Sequence, residues 1–133
     1  MKVVVTGGAG FIGSNLTDEL ARDHEVTVID NLSTGRIENL DHIRDRIQFI
    51  NGSILDLDLL RRAFAGADTV FHQAAIPSVQ RSVDNPIASN QANVDGTLNV
   101  LVAAKDSRVR KVVFASSSSV YGDTPTLPKK EDM

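Results

Sequence analysis

Residues 6–13 read TGGAGFIG, with glycines at 7, 10 and 13 in the spacing G-x-x-G-x-x-G. A loop of this kind can hold an anion on main-chain N–H groups. Gly7 permits a tight turn, Gly10 lets a pyrophosphate come against the backbone, and Gly13 lets the following helix pack on the preceding strand. The free N–H groups that open that helix then face the anion. A tight strand-to-helix turn without a ligand is the rival reading of glycines alone. It loses ground to Asp30, which ends VTVID 23 residues beyond Gly7. A carboxylate at the end of a second strand accepts both hydroxyls of an adenine ribose and repels a 2′-phosphate unless an arginine follows at once. Asn31 follows instead, so the pattern selects NAD over NADP. For Asp30 the alternative is a helix cap or turn former.

A second group of reactive types lies at 112–122, VVFASSSSVYG, where an apolar run gives way to four serines and a tyrosine. Open parallel sheets bind ligands beyond the carboxyl ends of their strands. Hydroxyls there shape a pocket, although a polar strand-end turn accounts for most serine clusters. The histidines at 24, 42 and 72 are too dispersed for a metal cluster, and His72 reads as a packed strand residue. The chain has no cysteine, which excludes disulfides and thiolate metal sites and agrees with a reducing cytoplasm. No metal site is expected.

Five short apolar runs must position these groups: 2–6, 25–30, 47–50, 68–74 and 111–116, rich in Val, Ile and Phe. Helical stretches separate them. Residues 11–23 place Phe11, Leu16 and Leu20 at helical spacing, 57–66 end at Gly66, and 85–107 carry Pro86 and apolar Val94, Leu98, Leu101 and Val102. Strand–helix–strand alternation without hairpin signals implies parallel pairing with helices on both faces. The expected architecture is an α/β doubly wound parallel sheet, a Rossmann fold, with strand order 3-2-1-4-5. The tail from Gly122 reads as loop and does not finish a domain, so the fold is expected to be incomplete at its C-terminus. At 133 residues, 41% hydrophobic and net charge −3, the composition suits one soluble domain. Scattered Lys and Arg argue against nucleic acid, and the opening apolar run is too short for a signal peptide or membrane span.

Together with DNLSTG (30–35), FHQAA (71–75) and SSSVYG (117–122), these residues make the whole chain resemble the extended short-chain dehydrogenase/reductase family. Within it the chain is similar to the NAD-dependent epimerases and dehydratases of sugar nucleotides, notably the UDP-glucose and UDP-N-acetylglucosamine 4-epimerases. The resemblance implies that Phe11 and Ile12 meet the pyrophosphate through their backbone. It pairs Asp30 with Asn31 on the ribose and puts Ser33, Thr34 and Gly35 over the adenosine phosphate. Ser53 and Ile54 fall at the adenine. The family usually has an acid where Ser53 stands, so that contact is expected to be weaker or water-mediated, while Asp56 caps the next helix. Gln73, Ala74 and Ala75 match the small-residue strand end beneath the cofactor, although helix packing explains two alanines equally well. Asn93 matches an asparagine at the nicotinamide end, with an exposed helix position as the rival.

Ser117 then matches the hydroxyl that hydrogen-bonds the reacting oxygen of a UDP-sugar substrate, with Ser116 and Ser118 beside it. Ser78 would touch the sugar, and Arg81 a phosphate or its own loop. Related 4,6-dehydratases carry an Asp-Glu pair where Ser118 and Ser119 stand, which disfavours dehydration. The implied reaction interconverts UDP-hexoses at C4 through a 4-keto intermediate. The family's base is the tyrosine of a Y-x-x-x-K motif, its pKa lowered by that lysine. Tyr121 is the sole tyrosine and GDTPT follows it, with no lysine at the motif's spacing. The chain therefore reads as the N-terminal portion of an NAD-binding domain, 1–133, from a longer enzyme. The Y-x-x-x-K motif, later strands and substrate domain are absent, and alone it is expected to bind NAD weakly and turn over nothing. UDP-glucuronate decarboxylase, another nucleotide-sugar dehydratase and a non-catalytic NAD-binding sensor are the alternatives. The family also implies a homodimer through helix 85–107, whose apolar positions could instead be buried within one chain.

Overall fold

The computed structural model describes residues 1–123 and 125–132, with only the backbone of Val79 and Ser118. β-branched residues form most of its strands: β1 (Lys2–Thr6), β2 (Glu25–Asp30), β3 (Ile47–Asn51), β4 (Thr69–His72) and β5 (Lys111–Phe114). They make one parallel sheet in the order β3-β2-β1-β4-β5. The central strand is buried on both faces, which explains its unbroken run of Val3, Val4 and Val5. Alternation along β1 divides the core in two. Val4, with Ile29 and Val70, faces Leu60 and Phe64 of α2 (Leu57–Phe64) and Val100 and Ala103 of α5 (Gly96–Asp106). Val3 and Val5, with Val26 and Val28, face α1 (Phe11–Leu20) and the 3-10 segment Ile37–Arg46, which contributes Leu40 and Ile43. Among the described residues no helix is long and apolar enough to cross a membrane.

The helices depart from the sequence reading more than the strands do. Phe11 is 83% exposed, and α1 buries Gly13, Ser14 and Thr17 instead, with Leu16 and Leu20 only partly covered. Small residues let α1 lie close to the sheet, and Phe11 projects from its free N-terminal end. Arg81, expected on a loop, lies in α3 (Val79–Asp84), with Ser78 as its N-cap. The stretch 85–107 is three segments: α4 (Pro86–Asn90), a π-turn (Gln91–Asp95) and α5. Gly96 N–H donates to the carbonyl of Gln91, five residues back. The π-turn adds a residue to one turn and so rotates the helix face by about 100°. Val94, Leu98 and Leu101 stand 57%, 59% and 50% exposed, while Gly96, Val100, Ala103 and Ala104 are buried. Val102, the fourth of these apolar positions, is half-buried within the chain. A short 3-10 turn, Ser118–Tyr121, interrupts the serine segment.

Candidate functional site

The ends of β1, β2, β4 and β5 carry most of the singled-out residues. Gly7 continues from β1 at φ +71°, and a Cβ there would lie 2.7 Å from the Ala74 Cα, so only glycine fits. At Gly13 a Cβ would come within 2.1 Å of the Gly7 carbonyl oxygen, so this glycine serves helix packing. Gly10 differs from both. Its backbone is extended (φ −76°, ψ 178°), and the nearest neighbour of an added Cβ is the Gly7 oxygen at 3.4 Å, an ordinary contact. Nothing within the fold demands glycine at 10. It stands at the N-cap of α1 with no side-chain cap and no acid in the first turn, leaving the opening N–H groups for an anion from outside. Phe11 and Ile12 turn their side chains to solvent beside it.

Asp30 is buried and shapes its surroundings. One carboxylate oxygen accepts the Ala9 N–H at 3.0 Å and the other the Leu32 N–H at 2.8 Å, which fixes the carboxylate and leaves each oxygen a further acceptor site. The Ala9 carbonyl accepts from Arg36 N at 3.0 Å and from the Asn39 side chain at 2.9 Å. The loop after β2 is thereby strapped to the glycine loop. Asn31 accepts the Ser33 N–H at 3.0 Å in a local turn. Gly35 is needed for close approach, since a Cβ there would sit 2.9 Å from the Ala9 carbonyl carbon. Beyond β3, the Ser53 hydroxyl accepts the Leu55 N–H at 3.0 Å. The Ile54 side chain is buried in the core and its carbonyl accepts from Asn99 at 3.1 Å. Asp56 caps α2 through the Leu59 N–H at 3.1 Å.

At the end of β4, the Thr6 hydroxyl oxygen accepts from Gln73 N at 3.1 Å and Ala74 N at 3.2 Å, while Ala75 is exposed. Asn93, in the π-turn, clips the following loop: its side chain accepts the Ile76 N–H at 2.7 Å and donates to the Ile76 carbonyl at 3.0 Å. The polar task of this asparagine is thus to hold the chain just past Ala75. β5 runs beside β4, and Ala115 N–H donates to the His72 carbonyl at 3.2 Å, setting the serines next to Gln73. The Ser117 oxygen accepts the Ser119 N–H at 3.0 Å, so its own proton stays available to a ligand oxygen. Ser116, Ser117, Val120, Tyr121 and Lys129 line a shallow recess of about 320 Å³. The Ser118 side chain lies outside the described residues.

A second recess, about 260 Å³, brings Ser33 and Thr34 together with Arg81, Asn85 and Ser89. Ser78 caps α3 through the Arg81 N–H at 3.4 Å and has φ +94°. The two recesses share no lining residue among the described residues. Sequence reasoning overlooked Thr6, Asn39 and Thr97, whose polar side chains stitch the site together. For Thr6 the signal was available, a hydroxyl at the strand's final residue where free N–H groups begin.

The sequence profile of the NAD dependent epimerase/dehydratase family matches residues 3–133. The chain belongs to that family. It is 47% identical over its whole length to a UDP-glucose 4-epimerase of Mycolicibacterium smegmatis, of which it spans 44%. It is 41% identical over 98% of its length to UDP-glucuronic acid decarboxylase 1 of Danio rerio, spanning 31% of that protein. Among solved structures it matches DesIV, a dTDP-glucose 4,6-dehydratase of Streptomyces venezuelae with NAD and TYD bound, at a TM-score of 0.90 and 37% identity, over 95% of this chain and 42% of that one. The chain therefore spans less than half the length of these relatives. NAD is the cofactor of the family, and the residues here fit it. Gly10 leaves a backbone surface that a side chain would cover, and Asp30 keeps acceptor sites for two hydroxyls.

Proposed function

We propose that this chain carries the cofactor side of an NAD-dependent nucleotide-sugar epimerase that interconverts UDP-hexoses at C4. The observation that carries the reading is the open main-chain surface at Gly10 beside the braced Asp30 carboxylate. Gly7 and Gly13 form the turn, and the backbone of Phe11 and Ile12 holds the pyrophosphate. Asp30 and Asn31 hold the ribose, with Ser33, Thr34 and Gly35 as the adjoining loop. Ser53 and Ile54 border the adenine, Gln73, Ala74, Ala75 and Ser116 underlie the cofactor's other half, and Asn93 fixes its nicotinamide end. Bound NAD supplies the acceptor and donor of hydride.

Ser117 holds the sugar's C4 oxygen. One of its two acceptor lone pairs takes the Ser119 N–H, and the hydroxyl proton is left to donate to the substrate. Hydrogen bonding to the developing alkoxide stabilises charge that the ground state lacks. Ser118 and Ser78 border the sugar, and Arg81 serves the loop after β2. The proton acceptor is assigned to a residue outside these 133, since they contain no Y-x-x-x-K motif. The exposed residues Val94, Leu98 and Leu101, spaced four and three apart, are assigned to pairing with a second copy in the complete protein.

A second reading is UDP-glucuronate decarboxylation, favoured by the 41% identity to the Danio rerio enzyme. One assay separates the two. The complete protein is incubated with UDP-glucose, UDP-N-acetylglucosamine and UDP-glucuronate, and the products are resolved by chromatography. Formation of a C4 epimer supports the proposal; release of carbon dioxide with a UDP-pentose establishes the second reading instead.

A further inference from the structure

Burying an imidazole is unfavourable unless both ring nitrogens find partners. His72 is 2% exposed. Its ring meets the Thr6 hydroxyl, the Thr97 hydroxyl and the ring of Phe114, with ring centroids 5.8 Å apart. None of these partners carries a charge. The proton positions follow by counting. The Thr97 hydroxyl donates its one proton to the Asn93 carbonyl at 2.8 Å, so toward His72 Nε2, 2.9 Å away, it can only accept. Nε2 therefore carries the ring proton of the neutral imidazole, Nδ1 is the acceptor, and the Thr6 hydroxyl donates to it at 2.7 Å. Thr6 Oγ1 in turn accepts the Ala74 N–H and shares the Gln73 N–H with the Thr6 carbonyl. The Asn93 amide grips Ile76.

We propose that His72 is a positioning residue for the nicotinamide end of the crevice: as a neutral Nε2–H imidazole it locks the Gln73–Ala74 strand end to the π-turn that carries Asn93. The effect on cofactor rests on the function proposed above, whereas the coupling is a property of the protein without ligand. An imidazolium would weaken the chain, because its Nδ1–H would turn the Thr6 hydroxyl from donor to acceptor and compete with the Gln73 and Ala74 N–H groups for that oxygen. Burial agrees with this assignment by pushing the pKa of His72 below its ordinary value.

The test uses the full-length protein, with Thr97→Val to cut the chain at one hydroxyl and Thr97→Ser to restore it. Amide hydrogen exchange of Ile76 without cofactor reads the coupling. Exchange accelerates about tenfold in Thr97→Val, as expected for one lost hydrogen bond, and returns to the wild-type rate in Thr97→Ser. The Val4 and Val70 amides, deep in the sheet, stay unchanged. NADH affinity falls about tenfold in Thr97→Val and recovers in Thr97→Ser. After correction for intrinsic exchange, acid accelerates Ile76 exchange in the wild type and has no further effect in Thr97→Val. Normal NADH binding with Ile76 exchange unaltered by Thr97→Val would overturn the role of His72 alone. Wild-type protein that binds no NADH would overturn the proposed function, and with it the role at the cofactor, even if Ile76 responds as described.

Discussion

Replacing Gly10 by alanine separates a glycine required by the fold from one required by a ligand. The added methyl meets only the Gly7 oxygen, at 3.4 Å, and the backbone at φ −76° suits alanine. Two small effects on stability oppose each other. Fewer unfolded conformations favour alanine by about 0.4–1 kcal/mol, and its poorer performance at an N-cap costs a roughly similar amount. The net change is expected within about 0.5 kcal/mol, or roughly 2 °C in Tm for a domain of this size. A diphosphate on the opening turn of α1 would feel the methyl directly. Displacing one main-chain hydrogen bond to a charged oxygen costs about 1.5–3 kcal/mol, so NADH should bind roughly 10- to 150-fold more weakly. Gly13→Ala is the control. Its methyl would sit 2.1 Å from the Gly7 oxygen, and that overlap should cost about 1–3 kcal/mol of stability. Thermal melts and a fluorescence titration with NADH on the complete protein measure both quantities. Gly10→Ala that binds NADH like the wild type, or melts as early as Gly13→Ala, would refute the reasoning.

Other expected outcomes follow from the same geometry. His72 takes a proton more readily in the unfolded chain than in the fold, so its contribution to stability is complete above its ordinary value of 6.5 and declines as the pH drops toward the lowered folded value. Denaturant melts should show a slope of up to about 1.4 kcal/mol per pH unit in that window from this residue, and His72→Gln should flatten it. Asp30→Ala strips acceptors from two N–H groups, the buried one on Ala9 included; stability should fall by about 1–3 kcal/mol, and the preference for NAD over NADP should disappear in competition titrations. Ser117→Ala should lower kcat by about a hundredfold while NADH affinity stays as in the wild type, a pattern that steady-state kinetics and titration check together. Leu98→Glu on the exposed helix face should halve the mass of the complete protein in sedimentation; a dimer that survives the change removes that surface from the interface.

The strands were legible because a parallel sheet covered on both faces needs unbroken runs of Val and Ile, and Val3, Val4 and Val5 display that demand openly. The turn of the glycine loop was equally visible, since Gly7 and Gly13 each answer a distinct steric need of the fold. What the sequence concealed was the division of labour. Asp30 reads as a ribose ligand, yet its carboxylate also fastens the glycine loop, a task that depends on a neighbour 21 residues away. The apolar positions Phe11, Leu98 and Leu101 suggested buried helix faces, but small residues face the sheet in both helices and a π-turn resets the phase of the second. No periodic pattern announces the π-turn; the polar contacts at it are single ones, the Thr97 hydroxyl bonding back to the Asn93 carbonyl within the helix and the Asn93 amide clipping Ile76.

Ile54 and Gly96 make a pair worth following to its end. A Cβ on Gly96 would crowd the tip of Ile54, so the side chain that follows β3 slots beneath the helix that immediately follows the Asn93 turn. The two extremities of the proposed cofactor groove would therefore share a mechanical joint. Trimming Ile54 to alanine would slacken both extremities together, although the deleted atoms belong to only one.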